Sequence, residues 1–314
     1  MRNKHTEQLR TIVYGAAIGD ALGLPFVFLQ RDSFACETIT TSSLHNVIQG
    51  TFSDDTSMLL ATCDSIKQTS RIDINDMQNR FCDWLFNGTY TADGIAFDVG
   101  NTVASALHRG YGCDHEYTNG NGSLMRIVPL AVTNATDEEI RQVSAITHAH
   151  WISMESCVIF VHILRDILNG KPLENAIINN APWNRKTDNI QTPNAQTFNV
   201  QSTMMQLHSK KLPAPTATEI HERFAFLHNI DTLSREEIGS SGYVLETLSA
   251  ALWCTLHTTN YKDCVISAVN LGDDTDTTAC VAGALAAALY GFESIPTEWI
   301  EILRGKEIIE NCLF

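Results

Sequence analysis

Lysine and arginine are scarce in this 314-residue chain: 21 stand against 36 aspartates and glutamates, for a net charge of −15. So acidic a surface excludes a general grip on nucleic acid or anionic membrane. It leaves room for a small anionic ligand, because a bound cation inverts the local field. Paired cysteine motifs are missing as well. Nine cysteines are scattered singly from Cys36 to Cys312 without a C-x-x-C, the pattern of reduced, buried thiols in a cytoplasmic protein. No G-x-G-x-x-G or G-x-x-x-x-G-K-S/T occurs, which removes the commonest nucleotide-binding loops. The apolar stretch from Ile12 to Leu29 is broken by Asp20 and several glycines and has no cleavage site after it. Neither a signal peptide nor a membrane span is expected there. Period-2 alternation is rare, and there is no internal repeat or block of like charge.

What is present is helical. From Val244, apolar residues recur at Leu245, Leu248, Ala251, Leu252 and Leu256, one face of a helix. Cys280 to Tyr290 is apolar nearly all round, as a helix at the centre of a core would be. Thr136-x-x-Glu139 and Ser234-x-x-Glu237 have capping-box spacing and predict two helix starts. The expected fold is all-α, a compact single domain of many helices. Residues 181 to about 218, rich in Asn, Gln, Thr and Pro, predict a loop-rich polar insertion.

Two acidic clusters stand at helix starts. Ser53-Asp54-Asp55 precedes an apolar helical pattern (Met58, Leu59, Cys63, Ile66), and Asp274-Thr275-Asp276-Thr277 runs into the apolar helix. Capping accounts for one such side chain, since Ser, Thr and Asp are favoured N-caps and acids complement the helix dipole. Two or three adjacent carboxylates exceed that need, and when buried they repel unless a cation neutralises them. Hard oxygen donors without His or Cys favour Mg²⁺, Mn²⁺ or Ca²⁺ over zinc. Whether the clusters meet in space does not follow from the sequence; meeting would allow two metals a few ångströms apart. The same ligand set would equally serve a two-metal phosphoesterase.

His148 and His150, two residues apart, do not share a helix face, so a joint metal site is not expected. Ser53 has no His–Asp partners in reach of sequence and is a poor nucleophile. Cys113 and His115 offer only weak grounds for thiol chemistry. NGNGS at 119–123 suits close backbone approach to a pyrophosphate.

With these motifs in order, the chain resembles the ADP-ribosylglycohydrolase family. The resemblance runs from GAAIGDALGLPF (15–26) through FSDDTSM (52–58), FDVGNT (97–102), NGNGSLMRIVPLA (119–131), THAH (147–150) and SSGYVLETLSAALW (240–253) to NLGDDTDTTACVAGALAAALYG (270–291). It implies an all-α hydrolase with two divalent cations, Mg²⁺ or Mn²⁺. The substrate would be an ADP-ribosylated protein and the product ADP-ribose, with no nucleic acid or membrane involved and a monomer expected. The implied metal ligands are Ser53, Asp54, Asp55, Asp274, Asp276 and Thr277, with Asp273 a neighbour. Asp98, or a first-cluster carboxylate such as Asp55, would act in catalysis. Asn101, Gly122, Ser123, His148 and Tyr243 would lie near the bound ADP-ribose.

One departure bears on specificity. The family's N-terminal pattern ends Gly-x-Pro-x-Glu-Phe, and Val27 takes the place of the Glu. In relatives that cleave serine-linked ADP-ribose an acid from this region takes part, so its absence tilts the expectation toward the arginine-linked N-glycosidic bond. Asp32 or Glu37 could stand in for the missing acid. The alternatives are another linkage, serine or small-molecule, or a non-catalytic ADP-ribose binder.

Overall fold

The computed structural model describes residues 4–41, 46, 48–185 and 214–314. Among these there are thirteen α-helices and no strands, a single all-helical domain. The first seven are α1 (Lys4–Gly23), α2 (Asp54–Thr69), α3 (Ile74–Asn87), α4 (Asn101–Arg109), α5 (Asp137–Ala145), α6 (Trp151–Leu168) and α7 (Leu173–Asn180). After them come α8 (Ala217–Arg223), α9 (Val244–Leu256), α10 (Tyr261–Val269), α11 (Thr275–Tyr290), α12 (Thr297–Ile302) and α13 (Lys306–Cys312). No helix among the described residues is long and apolar enough to cross a membrane. Of the expected polar insertion, residues 186–213 lie outside the described residues.

The organising contact is between α1 and α11, which run antiparallel at the centre of the core. Gly15, Gly19 and Gly23 repeat every fourth residue and therefore form one stripe of bare backbone along α1. A Cβ at Gly19 would lie 2.0 Å from the Ala279 carbonyl oxygen, and one at Gly23 2.4 Å from that of Thr275. Only glycine permits this approach. α11 answers with Gly283, whose own Cβ would meet the Gly15 oxygen at 2.2 Å. The buried Tyr261 hydroxyl of α10 donates to that same Gly15 carbonyl at 2.8 Å, tying the pair to the next helix. α9, α10 and α6 pack around α11, while α2 is covered by α3 and α13.

Local sequence signals fix most helix starts. The Thr136–Glu139 box closes in both directions: Thr136 N donates to Glu139 Oε2 at 2.8 Å, and Glu139 N to Thr136 Oγ1 at 3.3 Å. The Ser234–Glu237 box also forms, yet it opens only a three-residue 3-10 turn, Arg235–Glu237, instead of the expected helix. The chain from Ile238 must extend so that the Ser240 carbonyl can accept from Asp274 N at 3.0 Å. It also lets the Gly242 carbonyl accept from Asn121 N at 3.0 Å. The helix starts later, at Val244.

Candidate active site

The glycine seam delivers the C-terminal end of α1 to the first turn of α11, where Thr275 Oγ1 donates to the Gly23 carbonyl at 2.8 Å. One turn back on α1, fully buried Asp20 reaches sideways to the start of α2. Its carboxylate accepts from Ser53 N at 2.9 and 3.0 Å, from Thr56 N at 3.1 Å and from Thr56 Oγ1 at 2.6 Å. Asp20 is thus an external cap that docks α2 against α1. The consequence is that the first turns of α2 and α11 face each other, and the two acidic clusters meet: Thr277 Oγ1 donates to Asp55 Oδ1 at 3.2 Å.

Asp20, Asp55 and Asp276 each place a carboxylate oxygen within 4.8 Å of the others, all three buried. Burial pushes Asp54, Asp55 and Asp276 well above the usual carboxylate range, and the negative charges of their neighbours push further in the same direction. Those neighbours include Asp98, from the loop before α4, and Asp274, so six carboxylates feel one another here. Asp20 is raised to about 6, chiefly by burial, against the lowering pull of its hydrogen bonds from Thr56 and Ser53. Asp55 Oδ2 is buried with no hydrogen-bond partner. An orphaned carboxylate oxygen in a crowd of acids fits a divalent cation, which would satisfy it and cancel the repulsion.

The remaining residues expected from sequence surround this cluster. Ser53 is the N-cap of α2, its Oγ accepting from Asp55 N at 3.3 Å. Asp274 precedes α11 and accepts on Oδ2 from Asn121 Nδ2 at 2.8 Å. Asp273 is exposed and holds the 28–29 loop by its backbone, accepting from Phe28 N at 2.7 Å and donating to the Leu29 carbonyl at 2.8 Å. Asp98 is partly exposed at φ +56°, a left-handed conformation that Asp and Asn tolerate better than other side chains. Asn101 is the exposed first residue of α4.

Gly122 lies directly over the buried His148 ring: a Cβ there would meet His148 Cε1 and Val103 Cγ2, both at 3.0 Å. Burial, and then the charge of Arg126, lowers His148 to about 3, so it is neutral at physiological pH. Ser123 is fully enclosed, its hydroxyl accepting from Ser144 Oγ at 2.9 Å, so any part it plays in binding runs through the turn it braces. Beneath the turn, buried Arg126 donates to the Gly122 carbonyl at 2.8 Å and stacks its guanidinium over Phe81 at 4.5 Å. Tyr243 is half-buried and lines a cavity of about 480 Å³ together with Thr102, Glu116, Asn119, Gly120 and Arg223. Gly242, in the same wall, brings that cavity to the acids, since a Cβ on it would touch Asp274 Oδ2 at 3.1 Å. Asp20 and Asn121 were not singled out from sequence. Asp20 stands in the sequence as an acid interrupting an apolar stretch, within the 15–26 motif, and Asn121 as a polar residue in the glycine-rich turn of the 119–131 motif.

The raised carboxylates predict a pH dependence. Asp20 rises from an ordinary 3.8 to about 6. Its contribution to cation-free stability is therefore fully present below 3.8 and lost as pH rises through about 6. His148 works in the opposite sense: lowered from 6.5 to about 3, it contributes stability that is lost as pH falls through that interval. A melting curve alone mixes the two. The increase in melting temperature on adding Mg²⁺ or Mn²⁺ separates them, because cation binding requires ionised carboxylates. That increase is expected to be larger at pH 8 than at pH 5, by calorimetry at fixed cation concentration; equal increments would show that the acids take no part.

Comparison with known proteins places the whole chain in one family and one fold. A family model described as ADP-ribosylglycohydrolase matches residues 1–313. The chain is 30% identical to the ADP-ribosylarginine hydrolase Tri1 of Serratia proteamaculans, over 97% of this chain and 77% of that protein. It is 26% identical to the ADP-ribosyl-[dinitrogen reductase] glycohydrolase of Rhodospirillum rubrum, over 93% and 88% of the two chains. A solved structure titled an ADP-ribosylglycohydrolase-related protein complex superposes with a TM-score of 0.72 at 25% identity, covering 99% of this chain and 96% of the other.

Proposed function

The chain belongs to the ADP-ribosylglycohydrolase family, and from that premise we propose that it removes ADP-ribose from arginine side chains of modified proteins by cleaving the N-glycosidic bond. The observation that carries the reading is the convergence of two helix starts at Asp55, whose Oδ1 accepts from Thr277 while its Oδ2 has no partner. Ser53, Asp54, Asp55, Asp274, Asp276 and Thr277 would hold two divalent cations, Mg²⁺ or Mn²⁺. When bound, such cations hold ribose hydroxyls and lower the pKa of a nearby water. Asp98 is partly exposed beside the acids and takes the proton of the attacking water, with Asp55 as the other candidate for that role. Asn121 fixes the Asp274 carboxylate through its side-chain amide. The 119–123 turn, floored by neutral His148, presents backbone to the substrate's diphosphate, while Tyr243, Asn101 and the adjoining cavity take the rest of ADP-ribose.

Preference for arginine rests on the missing acid at Val27. A serine alkoxide is a poor leaving group and needs one, whereas guanidinium is a ready product because its pKa exceeds ~12. Val27 is buried and apolar at the place where relatives carry an acid. Asp32, a possible substitute in that loop, is held below its usual range by hydrogen bonding to Arg235 and stays ionised at neutral pH. The test is competition between matched peptides carrying either linkage, with Mg²⁺ or Mn²⁺, followed by mass spectrometry of released ADP-ribose. The arginine linkage should be cleaved at least roughly tenfold faster, a margin of about 1.4 kcal/mol in barrier. Equal rates or faster serine release would overturn the preference. In the same assay Asp98→Asn should lower kcat about a hundredfold. Asn tolerates φ +56°, so its melting temperature should not move.

A further inference from the structure

We propose that His221 and His228 form a binding site for one imidazole-preferring divalent cation such as Zn²⁺ or Ni²⁺, separate from the acidic site. His221 lies in the last turn of α8, and the following 3-10 turn, Ala225–His228, folds back to bring His228 beside it. Their Nε2 atoms are 3.3 Å apart. Ligand nitrogens bound at about 2.0–2.1 Å around a tetrahedral cation are separated by roughly 3.3 Å, so the pair already spans one edge of such a coordination sphere. Trp183 fixes this geometry from behind. Its ring stacks on His228 with centroids 3.9 Å apart and 15° between planes, and lies against His221 at 4.9 Å. Both imidazoles are exposed, leaving water free to complete the sphere.

At 3.3 Å the two nitrogens share at most one proton between them, one donating and the other accepting. To bind a cation, the donating imidazole moves that proton to its own Nδ1, so that both Nε2 atoms present lone pairs and both imidazoles act as neutral donors. Two of the neighbouring charges are already engaged. Arg223 pairs with Glu116 at 2.5 Å, and Glu219 accepts from Thr216 N at 2.7 Å in a capping box. Nitrogen donors select Zn²⁺ and Ni²⁺ over Mg²⁺ and Mn²⁺, the reverse of the oxygen-only cluster. Among the described residues, the acidic cluster is the only group of three or more His, Cys, Asp or Glu ligands placed to share an ion. The histidine pair is therefore a two-ligand site with an open face.

The experiment is Zn²⁺ uptake by the whole protein in equilibrium dialysis with excess Mg²⁺, paired with Ni²⁺ quenching of tryptophan fluorescence. Wild type should take up one Zn²⁺ that the His221→Ala/His228→Ala variant binds at least about tenfold more weakly. Ni²⁺ should quench wild type, and Trp183→Phe should keep the uptake while losing most of the quenching. Unchanged melting temperature and Mg²⁺-supported hydrolysis in the double variant would place the loss at the pair itself. Zn²⁺ uptake equal in wild type and the double variant, or no uptake by wild type, would overturn the proposal.

Discussion

Asp55→Asn and Asp276→Ala are each expected to reduce turnover at least about a thousandfold, the scale set by losing a cation that generates the nucleophile near neutral pH. The stability outcome should run the other way. Asp54, Asp55 and Asp276 are pushed well above the ordinary range by burial and by the negative charges around them, so removing one charge relieves repulsion in the cation-free protein. The variants should melt at or above the cation-free wild type, while the stabilisation wild type gains from Mg²⁺ or Mn²⁺ disappears. For wild type that gain is about 2.7 kcal/mol at a hundredfold excess over Kd. Calorimetry with and without cation, beside a peptide hydrolysis assay, reads both effects. A variant that keeps its activity, or its full cation-induced stabilisation, would remove that acid from the ligand set.

Gly19→Ala should be severely destabilising. The added carbon would stand 2.0 Å from the Ala279 carbonyl, a rigid backbone atom in the middle of α11. The two helices must part by more than an ångström, and the cost is expected to reach about 3 kcal/mol or more, the upper part of the range for overpacking. At this chain length that lowers the melting temperature by roughly 5 °C or more. Gly100→Ala is the control: it stands at φ −60° with nothing within 4 Å and should shift melting by no more than about 2 °C. Where Gly19→Ala still folds, cation affinity should fall too, because the displaced α11 carries Asp276 and Thr277 away from Asp55. A variant with wild-type stability would mean that the seam is looser than its geometry.

Much of this was legible in the chain. α9 and α11 occupy the segments their apolar periodicity predicts, and both acidic clusters stand at helix starts. The ordered motifs pointed to the family before any coordinate. What the pattern could not supply was the meeting of the clusters. That rests on a stripe of three glycines, and glycine leaves no hydrophobic signature for periodicity to detect. Asp20 was hidden for a related reason: its value lies in the backbone amides of Ser53 and Thr56, groups that every residue has. The Ser234 box failed differently. Its local chemistry is intact, but the needs of Asp274 and Asn121 pull the following chain straight, and tertiary hydrogen bonds overrode a cap worth about 1 kcal/mol.

The glycine seam also dictates an order of events during synthesis. α1 leaves the ribosome on the order of tens of seconds before α11 at ordinary elongation rates. Throughout that interval its bare glycine stripe lacks the α11 backbone it fits. Few local contacts can substitute, because the pairing closes a loop spanning most of the chain, the kind of non-local contact that slows folding. A nascent chain stopped just before Asp274 would hold four of the six acids and an uncovered apolar helix, a client for chaperones and proteases. The acidic site in this architecture is complete only once α11 has been made.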